Sequence, residues 1–190
     1  MKKKKEFVNK VLDKDYTVHS VYNRDIPLNM EINSKNEIII THFNSIQFYT
    51  NSLYNKINEI KIEEDSIIRD CIIIDEYLLV ATDGGKLIKY KRDGDYKYSE
   101  VNVKIFDIKF RFILKLKEKN LICGFTKSKI FIINIDDFSI NSKLKLEKTL
   151  YIDLKTKPFI ISNKNHTICF RQQSQITIFN YKKMQIVKTI

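Results

Sequence analysis

The stretch Ala81-Thr82-Asp83-Gly84-Gly85-Lys86-Leu87-Ile88-Lys89-Tyr90 decides the fold. An apolar run leads into Asp83-Gly84-Gly85, whose glycines reach the positive φ values a tight hairpin needs, and a second run leads out. The outgoing strand, Lys86-Leu87-Ile88-Lys89-Tyr90-Lys91, has three look-alikes. These are Ser45-Ile46-Gln47-Phe48-Tyr49-Thr50, Lys129-Ile130-Phe131-Ile132-Ile133-Asn134 and Gln175-Ile176-Thr177-Ile178-Phe179-Asn180. Tyr49, Tyr90, Ile133 and Phe179 hold equivalent places, at spacings of 41, 43 and 46 residues. The incoming strand recurs in step: Glu37-Ile38-Ile39-Ile40-Thr41-His42, Tyr77-Leu78-Leu79-Val80-Ala81-Thr82, Leu121-Ile122-Cys123-Gly124-Phe125-Thr126 and His166-Thr167-Ile168-Cys169-Phe170-Arg171.

These runs are short and rich in Ile, Val, Phe, Tyr and Thr, which makes them strands rather than helices. Turn-forming clusters separate them, among them Ser34-Lys35-Asn36, Asp93-Gly94-Asp95 and Asn163-Lys164-Asn165. Continuously apolar stretches such as Ile72-Ile73-Ile74 imply burial on both faces, hence sheets stacked on neighbouring sheets. Alternating stretches such as Leu144-Lys145-Leu146-Glu147 read as half-exposed outer strands. Each unit is therefore a four-stranded antiparallel sheet of about 40–45 residues, the period of one β-propeller blade.

On these residues the chain resembles WD-repeat β-propellers, with the 81–90 stretch matching the family's passage from second strand through turn to third strand. Tyr90 sits where the family usually places Trp. The resemblance covers residues 17–190 in period and hairpin, not in signature. The chain has no Trp, and Lys91, Thr50, Asn134 and Asn180 stand where the family's Asp is expected. No Gly-His dipeptide precedes a first strand, so the family's buried His–Asp–Ser/Thr–Trp network is not carried over. The expected fold is all-β, a propeller-type array of about four four-stranded blades, with units near 26–62, 66–105, 108–150 and 158–190. Residues 1–16 are expected to form a basic N-terminal segment, helical where Phe7, Val8, Val11 and Leu12 share a face. Thr17-Val18-His19-Ser20-Val21-Tyr22 is a lone strand, and Met184-Gln185-Ile186-Val187-Lys188-Thr189-Ile190 gives the last unit its own fourth strand. Three arrangements follow: a small closed ring, an open arc completed by a partner or a second copy, or a piece of a larger propeller.

The chain has 190 residues, 43% hydrophobic and 30% charged, which excludes a disordered tail. Four Gly and two Pro exclude collagen-like and Pro-rich classes. No apolar run nears the roughly 18–20 residues of a spanning helix, so no membrane role is expected. The net charge is +11, of which residues 1–16 contribute +3. A dispersed basic excess permits salt-sensitive attraction to nucleic acid. A chain favouring Lys, Ile and Asn throughout accounts for it more simply by composition. The run of Lys at 2–5 reads as a solubilising tail or a nuclear-import arm. Cys71, Cys123 and Cys169 are far apart and lie in apolar runs, as buried reduced thiols do. That pattern suits the cytoplasm or nucleus.

Catalytic and cofactor signatures are missing. There is no Gly-x-Ser-x-Gly elbow and no His-Glu-x-x-His, and Gly84-Gly85-Lys86-Leu87 lacks the upstream Gly and following Ser/Thr of a phosphate loop. His19, His42 and His166 are widely separated, and an active site would require at least two of His19, His42, His166, Asp83 and Asp107 to converge within hydrogen-bonding reach. Glu63-Glu64-Asp65 and Asp136-Asp137 read as solvated loop charge without calcium-loop spacing. No enzyme, metal or cofactor is expected. One end of the array collects the turns between second and third strands and the connections between blades. The expected partner-binding residues there are Arg24, His42, Phe43, Asp83, Lys86, Lys127, Lys129, Lys155, Lys157, Arg171 and Gln173, with Asn44, Gln172, Asp65 and Asp107 beside them. The expected function is a non-catalytic protein-interaction platform, with a ribonucleoprotein or RNA-associated propeller as the alternative.

Overall fold

Short runs rich in β-branched and aromatic residues form strands that pair with their sequence neighbours through short turns, the inner ones buried on both faces. In the computed structural model the described residues are 27–33, 35–50, 55–62, 66–118, 120–146, 159–162, 166–172 and 175–190. They form sixteen strands and no helix. Blade 1 comprises β1 (Asn29–Ile32), β2 (Glu37–Thr41), β3 (Ser45–Thr50) and β4 (Lys56–Lys61). Blade 2 comprises β5 (Ile68–Ile74), β6 (Tyr77–Thr82), β7 (Lys86–Arg92) and β8 (Tyr98–Ile105). Blade 3 holds β9 (Phe112–Lys115), β10 (Leu121–Phe125), β11 (Lys129–Asn134) and β12 (Ile140–Lys145). Blade 4 holds β13 (Phe159–Ser162), β14 (Thr167–Gln172), β15 (Gln175–Asn180) and β16 (Gln185–Thr189). In every blade the four strands pair antiparallel in chain order.

The register is the same in all four. Ile38 lies opposite Tyr49, Leu78 opposite Tyr90, Ile122 opposite Ile133 and Ile168 opposite Phe179. Immediately before each of those third-strand residues the pairing with the fourth strand slips by a bulge, at Phe48/Tyr49, Lys89/Tyr90, Ile132/Ile133 and Ile178/Phe179. A bulge adds twist and bends the outer strand. Its recurrence at one register position is what makes the four units repeats in three dimensions. The lone strand at 17–22 and the N-terminal helix expected from the sequence lie outside the described residues.

Three apolar clusters hold the blades in a row. Ile39, Ile46 and Phe48 of blade 1 pack against Leu78, Val80, Ile88 and Tyr90 of blade 2. Leu79, Ala81 and Leu87 of blade 2 meet Ile113, Ile122 and Ile133 of blade 3, with Phe106 and Phe110 of the connection between them. Phe112, Phe125 and Ile130 of blade 3 meet Ile168, Phe170 and Phe179 of blade 4. The first strands β5 and β9 lie against each other, while the fourth strands β4, β8, β12 and β16 carry many exposed side chains and none that is fully buried. Among the described residues no cluster joins blade 4 to blade 1, so the sheets form an open array.

Two glycines are required by packing. Gly85 has φ of +82°, and a Cβ there would lie 2.3 Å from the Phe106 carbonyl oxygen of the blade 2–3 connection. Gly124 leaves room for the Phe110 ring, whose nearest carbon would lie 2.7 Å from an added Cβ. Gly84 carries no positive φ. The turn needs one left-handed glycine, not two.

Candidate interaction surface

The turns between second and third strands share one end of the array with the connections between blades. In the turns of blades 1 and 3 a backbone bond closes the hairpin: His42 N donates to the Ser45 carbonyl at 2.8 Å, and Thr126 N to that of Lys129 at 2.9 Å. Thr side chains assist at equivalent places. Thr82 Oγ1 accepts from Lys86 N at 3.2 Å and Thr126 Oγ1 from Lys129 N at 2.9 Å. Phe43 and Asn44 are half-buried, and their carbonyls accept from Ile68 N at 2.6 Å and Ile62 N at 2.9 Å. The blade 1 turn therefore clips the chain passing to blade 2. Lys127 and Lys129 are exposed, and Lys86 is half-buried. These residues do share one end, as their turns require.

Asp83 belongs to the scaffold. Its Oδ1 accepts from Ile67 N at 2.9 Å, its own N–H donates back to the Ile67 carbonyl at 2.9 Å, and Arg69 Nη2 lies 3.7 Å from Oδ2. Arg24, Asp65, Lys155, Lys157 and Gln173 lie outside the described residues, as does His19. Arg171 and Gln172 are placed in β14 by their backbone. His42 and His166 sit at opposite ends of their blades: His42 follows a second strand and His166 precedes one, in a turn with φ of 52°.

The opposite end carries polar ties that the sequence pattern did not reveal. At the first junction Glu37, 1% exposed, takes hydrogen bonds from Arg92 Nη2 and Asn33 Nδ2 and from Tyr96 N at 3.1 Å. At the second, the buried ammonium of Lys89 donates to the Ile135 carbonyl at 3.0 Å, with Asp136 Oδ1 at 3.9 Å and the Tyr77 ring at 4.3 Å. At the third, His166 Nδ1 lies 3.1 Å from the Tyr181 hydroxyl and 3.4 Å from Glu118 Oε1. Burial pushes the Tyr181 phenol above its ordinary range, and the Glu118 carboxylate adds to the shift. A charged residue heading an otherwise apolar strand, as in Glu37-Ile38-Ile39-Ile40, is the signal that points to such a tie. Farther along the blades, Asp70 Oδ2 accepts from Ile113 N at 2.9 Å and couples blade 2 to blade 3.

The remaining surface is the face of blade 4 turned away from blade 3. One position on the third strand shows its nature. Ile46, Leu87 and Ile130 are each 0% exposed in a junction, whereas Ile176 at the same register is 53% exposed. The neighbouring positions follow suit. Phe48, Lys89 and Ile132 are buried where Ile178 is half-exposed, and Ile39, Leu79 and Cys123 are buried where Cys169 is half-exposed. Ile190, hydrogen-bonded through its backbone to Ile176, extends the patch at 65% exposure.

A family model described as the RSE1/DDB1/CPSF1 second beta-propeller matches residues 30–174. The chain belongs to that family.

Solved structures agree on the architecture of this beta-propeller chain. The Neurospora crassa Pan2 WD40 domain aligns with a TM-score of 0.67 at 15% identity, covering 86% of this chain and 51% of that one. A structure described as BBS1N in complex with ARL6DN aligns with a TM-score of 0.67 at 12% identity, covering 87% and 52%. The expected likeness to WD-repeat propellers thus holds at the level of fold, and the chain spans about half the length of these matches. Matches extend to 1009 solved chains, so the likeness fixes an architecture and not a role. No curated protein matches the chain in sequence. For this RSE1/DDB1/CPSF1-type propeller chain, the exposed face of blade 4 is a blade junction with one side only.

Proposed function

We propose that the chain is a non-catalytic protein-interaction platform. Its blades hold the turn residues Phe43, Lys86, Lys127 and Lys129 at one end for a protein partner, and the face of blade 4 receives another four-stranded sheet. The observation that carries this reading is the contrast between Ile176 and its three buried counterparts. Apolar faces of this kind mark interaction sites, and three junctions within the chain display the kind of surface that covers one. Belonging to a propeller family supports the platform in its general form. The scattered free thiols fit a cytoplasmic or nuclear setting.

The test compares the wild-type chain with Ile176→Asp by sedimentation and by binding of an apolar fluorescent dye. The wild type is expected to self-associate or bind dye, and the variant to sediment as a monomer with dye binding reduced several-fold. A monodisperse wild type that ignores the dye contradicts the proposal. For the turn end, reversing charge at Lys127 and Lys129 should weaken partner binding at unchanged stability. Steeply salt-dependent RNA binding lost in the same variant would replace the protein partner with nucleic acid.

A further inference from the structure

Outer strands expose one backbone edge, and polar side chains there keep the edge from pairing with other chains. Blades 1 and 3 follow that rule at two matched positions, and blade 4 at one. Opposite Ser45 and Gln47 stand Lys61 and Glu59. Opposite Lys129 and Phe131 stand Lys145 and Lys143, and opposite Thr177 stands Thr189. Blade 2 departs from the rule. Its residues at those positions, opposite Lys86 and Ile88, are Ile105 and Val103, 69% and 40% exposed.

The exception borders a crevice of about 260 Å³ between blades 1 and 2. Buried Ile62, Ile88 and Tyr90 line it together with Val103. Two cations at its margin, Lys61 and Lys86, outnumber the single carboxylate of Glu100. The volume falls below the roughly 300–1,000 Å³ of small-molecule sites and suits one or two side chains of a longer ligand. At eight residues, β8 is the longest strand among those described, with nothing paired to its outer edge.

We propose that this crevice docks an extended segment of a partner protein. The segment adds to the β8 edge as a fifth strand, seats an aliphatic side chain against Val103 and Tyr90, and places a carboxylate beside Lys61. Main-chain pairing supplies register, alternate side chains enter the crevice, and the cations select acidic flanks. The site shares with the reading above the class of ligand, a protein segment, and one residue, Lys86, where the crevice opens toward the turn end. It lies apart from the blade 4 face.

The probe is the capped peptide DVIVD, with DSTSD and KVIVK as comparisons, titrated into the isotopically labelled full chain while amide shifts are recorded. Shifts are expected along β8, with DSTSD and KVIVK at least about tenfold weaker. Val103→Lys installs the residue type that blade 3 carries as Lys143, so folding is retained, and it should weaken DVIVD by about tenfold. Lys61→Glu should weaken it comparably, whereas Lys143→Glu should change nothing. Ile176→Asp should also leave peptide binding intact, so the two surfaces fail separately. The proposal is overturned if β8 shows no shifts at millimolar peptide, if shifts fall on blade 4, or if KVIVK binds equally well. A dimer of the chain abolished by Val103→Lys would also overturn it, by making a second copy the occupant.

Discussion

Two faces of nearly the same sequence meet different fates in this molecule. Cys123, Phe125, Ile130 and Ile132 of blade 3 press into blade 4, while Cys169, Ile176 and Ile178 of blade 4 repeat that pattern and face outward. Strand pairing, bulge and register are shared. What separates the faces is whether a neighbouring blade covers them. A blade is thus complete as a sheet but incomplete as a core, since it buries one face only when a neighbour is present.

That contrast yields its sharpest test through paired truncation. Ile130→Ala removes side-chain atoms from a closed junction and should cost about 3 kcal/mol in denaturant unfolding. Ile176→Ala, made at the same register on the open face, should cost less than about 0.5 kcal/mol. Equal costs would mean that the blade 4 face is covered in solution.

A second prediction concerns what the closed junctions have and the open face lacks. Glu37→Ala leaves the Arg92 guanidinium, itself only 10% exposed in its side chain, without its buried partner. Breaking a buried pair from one side should cost about 3 kcal/mol. Replacing both residues by apolar ones of similar size should recover much of the loss. If the single variant unfolds like wild type, the tie does not hold blades 1 and 2 together.

The smallest effect is one of pH. Tyr98 and Tyr181 both sit at junctions, and burial raises both phenols above the ordinary value of 10.0, with Glu37 and Glu118 adding to the rise. A raised folded-state value means that the unfolded chain loses its proton first. The contribution is therefore present in full below pH 10 and is lost as pH climbs through the folded-state value. Tyr181→Phe should flatten the decline of stability above pH 10; an unchanged slope would remove Tyr181 from the account.

Much of the architecture was legible because each blade writes its own hairpin. Asp83-Gly84-Gly85 declares a turn, the apolar runs on either side declare strands, and Tyr49, Tyr90, Ile133 and Phe179 keep count. The bulge beside each of those residues left no mark, since slipping one residue against a partner strand depends on pairing rather than composition. Asp83 reads as a rim residue in sequence, yet its carboxylate is engaged by Ile67 and Arg69. Lys89, a cation in the third strand of blade 2, is buried against the Ile135 carbonyl, 46 positions away. Such ties join residues from different blades, and apart from the charge that heads Glu37-Ile38-Ile39-Ile40 nothing local announces them. The contrast between Ile130 and Ile176 is invisible in the same way, because both strands carry similar apolar residues and only the stacking order tells them apart.

The repeat supplies its own pair of probes for the central claim, because Cys123 and Cys169 occupy one register position in successive blades. Burial pushes the Cys123 thiol well above its ordinary range, whereas Cys169 is half-exposed on the open face. Timed alkylation of the native chain, read by peptide mass, should modify Cys169 faster than Cys123 by on the order of tenfold or more. Equal protection of the two thiols at a concentration where the chain is monomeric would contradict an exposed blade 4 face.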